Sequence, residues 1–168
     1  MIRRSSILAS LMLTACAAPL HNLHRVDAHV WRSSQPDAVG FQELKTAGIS
    51  EVLSLRHYHA DDRLATGLVL HRVPMDAERI RDADILAALR VLTRSDQPVL
   101  VHCWHGSDRT GVVVAMYRLV VQGWPREKAI AELNDPAYGH HAGTYPNIRR
   151  YLETVDVGKI RRELRSTS

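Results

Sequence analysis

The stretch from Val99 to Gln122 constrains this chain more than any other. Val99-Leu100-Val101 follows Pro98 as a short apolar run and reads as a buried strand. From about Thr110 to Gln122 the residues are apolar on most sides of a helix, which predicts burial all round. Between them lies a tight polar loop. A buried strand that turns sharply into a buried helix belongs in a layered α/β protein. The remainder alternates in the same way. Pro36-Asp37 opens a helix through Phe41, Leu44 and Ala47, and Gly48 stops it. Strands are expected over Ile49–Leu55 and Leu68–Met75, and a helix over Ala83–Thr93 with Ile85, Leu86, Leu89 and Leu92 on one face. Gly123 ends the buried helix. Pro125 starts another, with Ala129, Ile130 and Leu133 inward, that stops at Asn134-Asp135-Pro136. Tyr145-Pro146 opens a last helix carrying Ile148, Tyr151, Leu152 and Val155. Gly158 is expected to break it before a solvated basic tail of Lys159, Arg161, Arg162 and Arg165. The expected fold is α/β, a small, mainly parallel sheet flanked by helices.

The amino terminus reads as an address. Met1-Ile2-Arg3-Arg4 is basic, and Ile7 to Ala15 is a short apolar stretch that ends in Leu13-Thr14-Ala15-Cys16. This ending resembles the lipobox of bacterial lipoproteins, in which cleavage leaves the cysteine as a lipid-modified first residue. The expected organisation is a lipoprotein signal peptide over 1–15, a lipid-anchored tether over 16–30 and one domain over 31–168. The expected location is the bacterial cell envelope, on the periplasmic face. Ala17 after Cys16 resembles outer-membrane sorting. Association with the membrane would come through acyl chains alone, because no apolar run approaches the roughly 18 residues of a spanning helix. The formal net charge of +4 drops by two if Arg3 and Arg4 leave with the signal, too little to imply a nucleic-acid partner. Of two cysteines, lipidation would consume Cys16 and leave Cys103 as a lone thiol without a disulfide partner.

That thiol sits in the loop His102-Cys103-Trp104-His105-Gly106-Ser107-Asp108-Arg109-Thr110. A helix amino terminus presents unpaired N–H groups and partial positive charge, and a loop curled over it can aim further N–H groups at one point, a ready site for a phosphate-like dianion. Gly106 allows backbone angles or a close approach that a side chain would block. Arg109 offers a planar fork to two phosphate oxygens. The thiolate is the reactive form of cysteine. An ordinary thiol is only about 3% ionised at pH 7, while a helix amino terminus and a nearby cation bring cysteine pKa values to roughly 3.5–7.5. Thr110 could donate its hydroxyl to the sulfur, and His102 could hold the backbone around it.

At these residues the chain resembles the cysteine-dependent protein tyrosine phosphatases, whose signature is His-Cys-x-x-Gly-x-x-Arg-Thr, and most nearly their compact bacterial dual-specificity-like branch. Trp31-Arg32-Ser33-Ser34-Gln35-Pro36, Leu44 to Gly48 and Val52-Leu53-Ser54-Leu55-Arg56 extend the similarity, which covers roughly residues 30–133. The resemblance implies that Cys103 attacks phosphorus to give a phosphocysteine. It implies that Arg109 steadies the equatorial oxygens, and that water then frees the enzyme with neither a metal nor another cofactor. Substrates would be phosphotyrosine, phosphoserine or phosphothreonine proteins, phosphoinositides or small phosphomonoesters. His102, Trp104, His105, Gly106, Ser107, Asp108 and Thr110 would bind substrate.

The family's general acid is an aspartate on a separate loop. The strand 68–75, the helix 83–93 and the strand at 99 make a right-handed crossover, so Asp76 and Cys103 are expected at the carboxyl ends of parallel, close strands. Asp82 and Asp84 compete, both as candidate caps of that helix, and Glu78 is a weaker candidate. Asp108 could orient loop amides or bias substrate choice. Trp104 stands as a pocket wall or a rim aromatic. His57-Tyr58-His59-Ala60-Asp61-Asp62 has ligand types at metal-like spacing but no second cluster to complete a site, and reads as a polar rim loop. His140-His141 reads as a surface pair, and Arg56 as a salt-bridged anchor or a substrate contact. Two other readings fit the loop: another Cys-x5-Arg enzyme, such as a rhodanese-like sulfurtransferase or an arsenate reductase, and a non-catalytic phosphate-binding module.

Overall fold

The computed structural model describes residues 20–166. The expected signal peptide at 1–15 and Cys16 lie outside the described residues. Five strands, β1 (His24–Arg25), β2 (Val30–Ser33), β3 (Glu51–Ser54), β4 (Val69–Arg72) and β5 (Val99–His102), form one sheet in the order β1-β2-β5-β3-β4. Only β1 is antiparallel to its neighbour. The helices are α1 (Ala38–Thr46), α2 (Asp82–Arg94), α3 (Asp108–Val120), α4 (Arg126–Leu133), α5 (Pro146–Thr154) and α6 (Val157–Arg165).

Strand periodicity divides the core in two. Val99 and Val101 of β5 and Leu53 of β3 face the larger core, while Leu100 and Val52, one residue out of phase, face the smaller. The smaller core is closed by Phe41 and Leu44 of α1, whose start is capped by Asp37 accepting from the Gly40 N–H at 2.7 Å. The larger is filled by α2 and by α3, which packs against β5 and also touches α4, α5 and α6. Twelve of the thirteen α3 residues are buried, which accounts for its lack of a polar face.

Four expectations need correction. The stretch expected to be a tether up to residue 30 contributes β1 and the first residue of β2, because Val30 inserts fully into the core beside Val99. The strand expected over Leu68–Met75 is β4 and stops at Arg72, four residues before Asp76, and it is not the neighbour of β5, because β3 stands between them. The last helix breaks at Val155-Asp156 rather than Gly158, because Asp156 caps a new helix by accepting from the Lys159 N–H at 2.8 Å. Nor is the basic tail wholly solvated. Arg161 donates to the carbonyls of Leu119 and Val120, the open end of α3, where a cation is also favoured by the helix dipole.

Candidate active site

Cys103 follows β5, which is paired on both sides, so it leaves the carboxyl edge of the central strand. It is 2% exposed, at the floor of an open cleft of about 760 Å3. The five residues from Cys103 to Ser107 turn the chain into α3.

What shapes this turn is the fate of its carbonyls. The His102 ring donates through Nδ1 to the Cys103 carbonyl (3.2 Å). The Gln35 N–H donates to the Trp104 carbonyl (3.0 Å), Asn22 Nδ2 to that of His105 (3.0 Å) and Arg32 Nη2 to that of Gly106 (2.7 Å). Four consecutive carbonyls are thus held by the surrounding protein. In a trans peptide the N–H points opposite to the carbonyl, and no cis bond occurs among the described residues. The N–H groups of Trp104, His105, Gly106 and Ser107 therefore face away from these clamps. With those of Asp108 and Arg109 at the start of α3, they donate to no group among the described residues. A run of unpaired donors at a helix start is an anion site. Gly106 makes the turn possible: its φ is +74°, and a Cβ there would lie 2.4 Å from the Ser33 carbonyl oxygen.

Behind the loop runs a chain of polar groups. His102 is fully buried, with Nε2 3.0 Å from Asp61 Oδ2. Gln35 donates to Asp61 Oδ1 (2.8 Å) and accepts from Arg56 Nη1 (2.9 Å). Burial alone would push the Asp61 carboxyl up. The hydrogen bond and charge of His102, with help from Gln35 and His59, outweigh that and hold it below the usual carboxylate range. The loop 57–62 is therefore more than a polar rim, since its Asp61 anchors the histidine that anchors Cys103. Arg56 crosses the Trp104 ring at 4.3 Å and lines the cleft with Arg109, whose Nη1 is 3.4 Å from the Leu55 carbonyl. Arg32 is buried beneath the loop, 4.3 Å from the centre of the Tyr138 ring.

Asp108 turns outward from the loop. Its Oδ1 accepts from His140 Nδ1 (2.8 Å) and the His141 N–H (2.9 Å), and its Oδ2 pairs with His141 Nδ1 (2.8 Å). Burial would raise this carboxyl, but these bonds bring it down to about 2. Of the pair expected at the surface, His141 is exposed, but the His140 side chain is only 1% exposed, and both tie their segment to the loop as a strap.

Asp76 lines the same cleft, with Glu78. It is exposed, and its Oδ1 accepts from the Glu78 N–H at 2.9 Å, which fixes the turn that carries it. Asp82 and Asp84 are engaged elsewhere, Asp82 with Tyr151 and Lys159 and Asp84 with Arg81. Trp104, His105 and Asp108 line the cleft; His102, Ser107 and Thr110 support it from outside the lining. The hydrogen bond expected from Thr110 to Cys103 is not formed. Its Oγ1 is buried without a partner among the described residues. Sequence reasoning missed Asn22, Asp61 and His140 as supports. Their signal lies in long-range pairing rather than in spacing.

A model of the tyrosine phosphatase family matches residues 17–153. The chain belongs to that family. Among curated relatives of this tyrosine phosphatase family member is the dual specificity protein phosphatase TpbA of Pseudomonas aeruginosa. It is 38% identical over 148 residues, covering 85% of this chain and 66% of TpbA. The chain thus spans just under two thirds of that relative's length. A crystal structure of P. aeruginosa TpbA superposes with a TM-score of 0.78 at 31% identity, covering 86% of this chain and 91% of that one. A cysteine-to-serine variant of TpbA in complex with phosphotyrosine matches with the same score and identity, covering 85% and 90%. The catalytic domain of the phosphatase SIW14 from S. cerevisiae shares the fold, with a TM-score of 0.73 at 24% identity over 89% of this chain and 94% of that one.

Proposed function

We propose that this family member hydrolyses phosphate monoesters through a phosphocysteine on Cys103, with phosphotyrosine as the favoured group. The observation that carries the reading is the set of four clamped carbonyls, which leaves the opposed N–H groups free in the turn that begins at Cys103, the only thiol among the described residues. A phosphate dianion held by those donors and by the Arg109 fork presents phosphorus to the Cys103 sulfur. The thiolate attacks in line, and the ester oxygen leaves with a proton from Asp76 across the cleft. Water then attacks the phosphocysteine, with Asp76 as base. The donors are in place before charge develops, which is the most effective form of electrostatic catalysis. The exposed rings of Trp104 and Tyr58 on the rim suit an aromatic leaving group, and support also comes from the TpbA variant in complex with phosphotyrosine.

Asp76→Asn tests the proton donor. The expected result is a fall of about 10²–10⁴-fold in kcat for alkyl and phenyl esters of high leaving-group pKa, and a much smaller fall for nitrophenyl phosphate. A leaving-group profile parallel to that of the unaltered protein would remove Asp76 from this role.

We further propose that the chain is a lipoprotein of the bacterial envelope, anchored through Cys16 on the periplasmic side. The basic start, the short apolar stretch and the boxed cysteine support this. Cys16→Ser is expected to move the protein from the membrane to the soluble fraction. Undiminished membrane association would reject the anchor.

A further inference from the structure

The strap over the phosphate loop brings together three groups that the proposed chemistry does not use. His105 and Asp108 come from the loop, and His141 comes from the segment after Tyr138. Each offers one ligand atom, and these atoms all lie within 4.8 Å of one another. The two imidazole rings stand 5.3 Å apart, tilted by 58°. Both histidines are exposed, and all three residues line the cleft that holds Cys103 and Arg109.

We propose that His105, Asp108 and His141 form a binding site for a borderline divalent transition-metal ion, with Zn2+ the type case, and that an ion held there closes the phosphate cradle. The chemistry of the donors sets the class. Two imidazoles and one carboxylate are a recurrent ligand set for zinc, with nitrogen and oxygen at about 2.0–2.2 Å from the metal and a position left open for water or an anion. Hard cations such as Mg2+ prefer all-oxygen sites, so they are disfavoured. The carboxylate is oriented in advance. The buried His140 ring and the His141 N–H both hold Asp108 Oδ1 from behind, the kind of outer support that fixes metal ligands. Small movements of the two exposed rings would gather the donors around one ion.

Such an ion would act on the loop in two ways. It would draw Asp108 and His105, both part of the anion-binding turn, into a fixed geometry. It would also place a Lewis-acidic centre on the cleft wall, where its open position could take a phosphate oxygen and hold substrate or product out of line with Cys103. The site is therefore inhibitory rather than catalytic. The inhibitory half of this inference rests on the cleft being a phosphatase site; the binding half does not.

The test begins with the Cys103→Ser protein, which removes the thiol as a ligand. Titration calorimetry with Zn2+ is expected to show a single saturable site. Adding His105→Ala or His141→Ala to that background is expected to weaken it at least about tenfold, with thermal melting unchanged in His105→Ala, whose side chain is exposed and makes no hydrogen bond among the described residues. The assignment is overturned if Cys103→Ser shows no saturable binding, or if both alanine variants bind as tightly as their parent. In the protein with Cys103 intact, Zn2+ is expected to lower the maximal rate of phosphomonoester turnover, reversibly on chelation and less strongly in His141→Ala. Equal zinc sensitivity of His141→Ala would overturn the inhibitory role. A protein without turnover would reject the phosphatase reading and leave the calorimetry to decide the metal site.

Discussion

Cys103→Ser is expected to abolish turnover of phosphate monoesters while leaving the affinity for phosphate or phosphotyrosine essentially intact. The two halves of this result come from different parts of the loop. Turnover needs a nucleophile that is ionised near neutral pH and leaves readily in the second step. A serine hydroxyl meets neither condition without a neighbouring base. Binding depends on backbone donors, whose directions are set by His102, Gln35, Asn22 and Arg32 acting on the carbonyls of residues 103–106. None of those contacts involves the Cys103 side chain. Serine is close in volume, so the buried floor of the cleft is kept. Steady-state kinetics beside calorimetric phosphate binding checks both halves. Surviving turnover would dismiss the sulfur as nucleophile, and lost affinity would show that the amides do not form the cradle.

Gly106→Ala should behave differently, losing binding and catalysis together. At φ +74° an alanine is strained whatever the space around it, and its Cβ would fall 2.4 Å from the Ser33 oxygen, 2.5 Å from the Ser33 carbon and 2.6 Å from the Ser34 nitrogen. All three are backbone atoms at the end of β2, which is paired to β5, so no flexible side chain can swing aside. The loop must move, and with it the Arg32 bond to the Gly106 carbonyl. A displacement near 1 Å at a reacting centre costs about 100-fold in rate, and overpacking of this kind costs about 1–3 kcal/mol in stability. Thermal melts with phosphate titrations measure both. Unchanged phosphate affinity in Gly106→Ala would mean that the close approach to β2 does not shape the anion site.

The two predictions draw on features that differ in how far the sequence reveals them. The alternation of Val99–Val101, polar loop and all-apolar helix announces the layered α/β fold, because burial on all sides leaves α3 only one place to go. Cys103, Gly106 and Arg109 are legible through local spacing, whereas Asp76, expected at the end of a strand over Leu68–Met75, lies in a turn beyond β4, which stops at Arg72. The supports are not legible in this way. Asn22 reaches across to residue 105, and Asp61 across to residue 102. Nothing in the local pattern of either segment marks such a partner. A polar residue in an irregular stretch reads as solvent-facing until the fold supplies its acceptor or donor. The same cause makes buried His140 read as a surface residue, and makes the segment before Val30 read as a tether when it clamps the loop through Asn22. Strand order escapes for a related reason: β3 inserts between β4 and β5 through pairing that connectivity alone does not dictate.

One sulfur and one guanidinium are expected to meet a tetrahedral oxyanion inside a ring of backbone donors. A crystal structure of the wild-type protein with vanadate tests it most directly. The expected result is vanadium bonded to Cys103 Sγ, its equatorial oxygens hydrogen-bonded to the N–H groups of residues 104–109 and gripped by both terminal nitrogens of Arg109. Vanadate bound elsewhere in the cleft, or Arg109 turned away from it, would contradict the account.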